Sequence, residues 1–126
     1  MSDIEKIENN PIINADEFSV AEKEAGESTG TFTHKFRKPF SYMGKNYTEM
    51  GFDWDSLTGR DGLDIEAELQ ALGTPAIVQA FSGAYLIRMA AKACTEKIGS
   101  DAFELMSLTD SNKIRSAARS FLLASE

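Results

Sequence analysis

Apolar and polar positions change rhythm along this chain. Up to residue 30 the bulky apolar residues are sparse: Ile4, Ile7, Ile12, Ile13, Phe18 and Val20, set among Glu, Asn, Ser and Gly. Such a stretch buries too little to offset its ordering entropy, which predicts a flexible acidic arm over 1–30; two readings of it stand, a mobile tail and an arm that docks on a neighbour through Ile12, Ile13 and Phe18. From residue 31 the period becomes two. Phe32, His34 and Phe36 alternate with Thr33, Lys35 and Arg37, as in a half-buried strand. Pro39 cannot donate to a ladder, so this is an edge strand or a strand end. Tyr42-Met43-Gly44-Lys45-Asn46-Tyr47 reads as a hairpin turn, with a return strand over Tyr47–Phe52. The hairpin therefore spans 31–53. It is too small to stand alone, and Phe36, Phe40, Met50, Phe52 and Trp54 are its expected contacts with helices. His34, on a strand, is expected at the surface or half-buried.

Beyond residue 53 the period becomes helical. A helix over 58–72 is capped by Ser56 or Thr58, with Asp61 in its first turn, Leu57, Ile65, Leu69 and Leu72 buried, and Ala67 and Ala71 easing close approach. Gly73 ends it. Thr74 and Pro75 then suit the start of a long helix over 75–98, ~36 Å by its rise per residue, closed by Lys97 and Gly99. Its apolar face is unusual. Ile77, Val78, Phe81, Tyr85 and Met89 share one stripe, while Leu86, Ile87, Ala90, Ala93, Cys94 and Ile98 form another nearly opposite. The greasy side switches near Gly83. Either the helix kinks there or it packs on both flanks, and the favoured reading sets the core on one flank and a partner on the other. A short helix over 101–106 places Phe103, Leu105 and Met106 inside. A last one over 110–124, opened by Ser107 or Thr109, buries Ile114, Ala117, Ala118, Phe121 and Leu122 and keeps Lys113, Arg115 and Arg119 outside. The fold class is α+β, mostly α: a β-hairpin on a bundle of three to four helices, in one domain over 31–126.

Charge sharpens this division. Of the net charge of −7, residues 1–30 carry −6, from eight acids and two lysines, and residues 31–126 carry −1. No block of Lys and Arg exists to neutralise phosphates, so nucleic acid is not an expected partner. No stretch reaches the ~20 apolar residues of a membrane span, and the N-terminus lacks the layout of a secretion signal. The single cysteine, Cys94, suits a reducing cytoplasm and reads as a buried small hydrophobe.

Candidate chemistry is thin. No phosphate loop, zinc spacing, nucleophile elbow or histidine-bearing triad is present. Gly59-Arg60-Asp61-Gly62 lacks the lysine of a phosphate loop, and Asp53, Asp55, Asp61 and Asp64 lack the spacing of a calcium loop. Asp53/Asp55 and Glu66/Glu68 are carboxylate pairs with ordinary surface explanations. No enzyme, metal or cofactor is expected. The surplus apolar surface, with Met50, Met89 and Met106 among it, suits a protein that binds other proteins. The candidate partner-binding residues are Phe81, Tyr85, Met89, Phe121 and Leu122.

Phe36-Arg37-Lys38-Pro39, Tyr42-Met43-Gly44-Lys45 and Tyr47-Thr48-Glu49-Met50 together resemble the opening hairpin of the tail assembly chaperones of long-tailed bacteriophages. Phe52-Asp53 followed by Leu57-Thr58-Gly59-Arg60-Asp61 is similar to that family's entry into its first helix, and Leu108-x-Asp110 with Ile114 and Phe121-Leu122 to its closing helix. The resemblance covers 32–123 and leaves residues 1–30 outside. It implies a protein that binds the helical tape measure protein, keeps it soluble and recruits tail tube subunits. It also implies a longer frameshifted form of the same chain, a place in the host cytoplasm and absence from the finished virion. Coating a long client further suggests a homo-oligomer. Two other readings stand beside it: a structural tail or head–tail connector component, and a small acidic regulatory protein or DNA mimic.

Overall fold

The computed structural model describes residues 30–124; the expected arm over 1–30 lies outside them except for Gly30. Strands β1 (Thr31–Tyr42) and β2 (Lys45–Asp53) form an antiparallel hairpin. Four helices follow: α1 (Gly59–Ala71), α2 (Gly83–Ala93), α3 (Asp101–Leu105) and α4 (Leu108–Ala124). Single 3-10 turns sit at Trp54–Ser56 and Gln79–Phe81. The α+β, mostly α architecture expected from the sequence is what forms. No helix among the described residues is long and apolar enough to cross a membrane.

The hairpin turn is two residues long, with Met43 at φ 51° and Gly44 at φ 78°. Both central residues are left-handed, as a type I′ turn requires to match strand twist. Lys35 pairs with Glu49 and Phe40 with Tyr47, five steps along β1 against two along β2, so β1 carries three extra residues in a bulge. Pro39 sits in that bulge, where its missing N–H leaves no gap in the ladder. Along β1 an aromatic file runs toward the helices. His34 meets Phe36 edge-on at 4.8 Å, Phe36 stacks on Phe40 at 5.5 Å, and Phe40 on Tyr42 at 6.2 Å. Across the ladder Met50 and Phe52 are buried, and Phe52 stacks on Trp54 at 5.4 Å and meets Phe103 at 6.1 Å. These rings join hairpin to bundle.

His34 is not at the surface. It is 3 % exposed, and its Nε2 lies 2.9 Å from Oδ1 of Asp110. Ser107 caps α4 by accepting the Asp110 N–H at 3.1 Å, and its hydroxyl donates to Oδ2 of Asp110 at 2.7 Å. One carboxylate therefore ties the middle of β1 to the first turn of α4.

Thr58 caps α1 in a reciprocal capping box with Asp61. Ile65 and Leu69, one turn apart, face the core, while Leu57 is half-buried. Leu72, Ala67 and Ala71 differ from expectation. Leu72 is 60 % exposed because the helix ends at Ala71 and the chain turns away through Gly73 at φ 78°; both alanines face outward.

The long helix over 75–98 does not form. Residues 74–78 are non-helical, Ile77 is exposed, and α2 begins only at Gly83, where Ser82 accepts the Tyr85 N–H at 3.2 Å. Serine is a stronger N-cap here than Thr74 because the two β-branched residues after Ala76 disfavour helix. The far end is short too. After Ala93 the backbone becomes extended: Cys94 bridges to Phe52, the Thr95 N–H donates to the Gly51 carbonyl at 2.9 Å, and the Glu96 carboxylate accepts the Gly51 N–H at 3.0 Å. Three residues thus cover an open edge of β2. The left-handed residue is Lys97 (φ 59°), not Gly99. The switch of apolar face near Gly83 marks this boundary between elements. Both flanks of α2 are internal: Tyr85 and Met89 on one side and Leu86, Ala90 and Ala93 on the other are all buried, between α1 and α4. Neither flank of this helix is left as an open apolar face; Tyr85 and Met89 are buried, and what they reach of the surface is the floor of a cleft.

In α3 and the residue after it, Phe103 and Met106 are buried, whereas Leu105 is 68 % exposed. In α4, Ile114 and Ala118 are buried and Ala117, Phe121 and Leu122 are half-buried. Arg115 and Arg119 are not outside. Arg119 donates from Nε to the Ala80 carbonyl at 2.9 Å, covering a carbonyl of the 3-10 turn, and Arg115 hydrogen-bonds Asn112 while lying against Gly83.

Candidate functional site

An apolar cleft of ≈ 180 Å³ opens where the start of α1, the middle of α2 and the end of α4 meet. Leu57 and Ile65 enter from around α1, Tyr85 and Met89 form the floor from α2, and Phe121 and Leu122 close the side from α4. The local sequence explains this convergence. The Thr58 cap sets the direction of α1, and Gly62 in its first turn presents no side chain. A Cβ at Gly62 would stand 3.4 Å from the Tyr85 hydroxyl, at the edge of ordinary van der Waals contact. Tyr85 and Met89 are one turn apart on α2, and so share a face.

Of the five residues expected to bind a partner, the fold brings Tyr85, Met89, Phe121 and Leu122 to this cleft. Their exposure differs. Tyr85 is 7 % and Met89 2 % exposed, both within the core, whereas Phe121 and Leu122 are half-buried. Phe81 is elsewhere: its ring lies under the Arg119 guanidinium, 5.0 Å from ring centroid to Cζ. The cleft also uses Leu57, Thr58, Asp61, Gly62 and Ile65, which were not expected to be partner-binding. The only sequence signal for them was that Leu57 and Ile65 are apolar on the α1 face.

Its polar groups are few, and Thr58 and Asp61 are paired with each other. The backbone N–H of Thr58 donates to Asp61 at 2.8 Å, and Lys92 lies 3.9 Å from the same carboxylate. The Thr58 N–H, helped by its hydroxyl and by Lys92 against a smaller desolvation effect, holds the Asp61 carboxyl below its ordinary range. Burial, and secondly the charge of Glu66, push the Tyr85 phenol up, so it stays neutral. The volume lies below the ~300–1,000 Å³ of small-molecule sites. What the cleft offers is a socket for one or two apolar side chains.

A second hollow, of ≈ 250 Å³, lies between the β1 bulge and the start of α4, lined by Arg37, Lys38, Ser107 and Asp110. His34 and Ser107 occupy the two oxygens of Asp110. Cys94 is buried, and burial pushes its thiol up to about 11, which leaves almost no thiolate at neutral pH. Among the described residues no group of three or more His, Cys, Asp or Glu side chains is placed to hold a metal ion. No family model, curated protein or solved structure matches the chain.

Proposed function

We propose that this protein is a tail assembly chaperone of a long-tailed bacteriophage, which holds apolar side chains of the tape measure protein in the α1–α2–α4 cleft. The observation that carries the reading is the cleft itself: an apolar socket of side-chain size, open at the surface, with Thr58 and Asp61 at its edge already paired to each other. A helical client with an exposed apolar stripe would aggregate alone, and helix-in-groove binding shields such a stripe one anchor at a time. The likeness of residues 32–123 to that family agrees with this reading. So do Leu105 and Leu108, exposed close together around the start of α4, and Met43 at the hairpin tip, which offer apolar area for further copies along a long client. The tube protein and a longer frameshifted form of the chain complete the set of proposed partners. The site of action is the host cytoplasm.

The test is co-expression with a candidate tape measure protein. Wild type is expected to bring the client into the soluble fraction, and Leu122→Asp, a change at the cleft wall, to leave it insoluble. Equal client solubility with and without the wild-type protein would overturn the proposal. Recovery of the protein in stoichiometric amounts from purified virions would replace it with the structural-component reading.

A further inference from the structure

Tyr85 brings one polar atom to the floor of the cleft. The residue is 7 % exposed and packs in the core with Met89, one turn further along α2. Its hydroxyl reaches the α1 side of the cleft at Gly62. Among the described residues that hydroxyl has no hydrogen-bond partner; what Tyr85 bonds outside the helix ladder is Ser82, through its backbone N–H. The neighbouring polar groups are engaged elsewhere. The Thr58 hydroxyl donates to Asp61 Oδ2 at 3.2 Å, the same oxygen that accepts the Thr58 N–H. Glu66 accepts from Gln79 at 2.9 Å and acts on the phenol only through its charge. A phenol can both donate and accept, and a polar group taken out of water without a partner is costly. Because Tyr85 lines the cleft, its free hydroxyl is the polar contact that the floor offers to an occupant.

The rest of the lining sets the shape of that occupant. Leu57, Ile65, Met89, Phe121 and Leu122 are apolar. A dry apolar cavity of about 150 Å³ takes a benzene ring, and the cleft measures ≈ 180 Å³. The occupant's polar atom must be uncharged, because a hydroxyl cannot neutralise an ion against an apolar wall. Of the natural side chains, tyrosine joins a benzene-sized body to one neutral hydroxyl at its far end. We propose that Tyr85 is the specificity-determining residue of the cleft, which takes a tyrosine side chain of the bound polypeptide and pairs its hydroxyl with that of Tyr85. This rests on the reading that the cleft holds a client side chain, and states which one. The ring fills the space between Leu57 and Phe121–Leu122, and the two phenols share one O–H···O bond. A hydrocarbon side chain of the same size fills the cleft but leaves the Tyr85 hydroxyl desolvated and unpaired, so the cleft discriminates by the missing bond.

The test uses the full chain without a client. The probes are p-cresol and toluene, the side-chain analogues of tyrosine and phenylalanine. Their dissociation constants for wild type and Tyr85→Phe are measured by titration of the methyl signals. Tyr85→Phe keeps the ring and removes only the oxygen, and it is expected to melt at or above the wild-type temperature. Both probes are expected to shift Leu57, Met89 and Leu122 and to leave Met43, at the hairpin tip, unchanged. The ratio of the toluene dissociation constant to that of p-cresol is expected to fall about fivefold in Tyr85→Phe, the worth of one hydrogen bond between neutral groups. An unchanged ratio would overturn the proposal and leave the cleft a binding site. A markedly less stable Tyr85→Phe would overturn it too, by giving the hydroxyl an internal role. Binding of neither probe, or shifts that avoid the three cleft methyls, would overturn both this assignment and the cleft as the client's site. Client solubility in the co-expression assay is read separately, so its failure is distinct from each of these outcomes.

Discussion

Asp110 does three tasks with one carboxylate: it completes the first turn of α4, accepts from Ser107, and meets buried His34. Burial pushes its pKa up, but the hydrogen bonds of Ser107 and His34, with the fields of His34 and Lys113, outweigh burial and hold it below the ordinary value. The sign of the pH dependence follows. The unfolded carboxyl titrates near ~3.9, so the contribution of Asp110 is complete above that pH and is lost as pH falls through the lower folded pKa. Asp110→Asn is expected to lower stability by ~1–3 kcal/mol at pH 7, with the gap to wild type closing toward pH 2–3; urea melts across that range measure it. Cys94 gives a second check. With its thiol pushed up to about 11 and its side chain buried, it should resist alkylation at pH 8 in the native protein and react at once in denaturant. A native thiol that reacts as fast as the denatured one would contradict this packing.

At the scale of elements, the region over 74–99 separates two ways of making the same apolar pattern. A single helix would depend on Thr74 as its cap; the observed α2 depends on Ser82. Ser82→Ala is therefore expected to cost ~1 kcal/mol and Thr74→Ala no more than a few tenths, by chemical denaturation of each variant. The reverse ranking would restore the long helix. The hairpin turn offers a gain. Met43 pays the steric cost of a left-handed backbone while 83 % exposed, and Asn is the favoured residue at that place in a type I′ turn. Met43→Asn should raise the melting temperature by a few degrees, for a stabilisation of ~0.5–1 kcal/mol.

At the scale of the molecule, floor and wall of the cleft differ in burial: the floor is core and the wall is half-exposed. Met89 is 2 % exposed and packs in the core, so Met89→Ala should destabilise by ~2–5 kcal/mol. Leu122 is half-buried at the wall, and Leu122→Asp is expected to keep a native-like spectrum and thermal transition. If Leu122→Asp unfolds the chain, the wall is core and the cleft is not a separable surface. The same difference explains why loss of the whole Tyr85 ring is a poor probe of binding: it would disturb the core before it could report on a partner.

The residues alone were enough to place the hairpin and its Gly-containing turn, the pair Ile65 and Leu69, and the starts of the first and last helices, because each follows from local rules: a period, a cap or a turn; the structure chose Thr58 over Ser56 and Ser107 over Thr109 as the caps. The switch of apolar face at Gly83 was also visible, but not its meaning. A helix that changes sides and two elements that meet produce the same spacing, and only packing between α1 and α4, with Cys94–Glu96 diverted onto the edge of β2, decided between them. His34 lay beyond local rules for the same reason, since its partner is seventy-six residues away. The cleft is likewise a tertiary product. Its apolar side chains are ordinary members of three separate stripes, and they become a site only where the ends of α1 and α4 fail to close completely over Tyr85 and Met89.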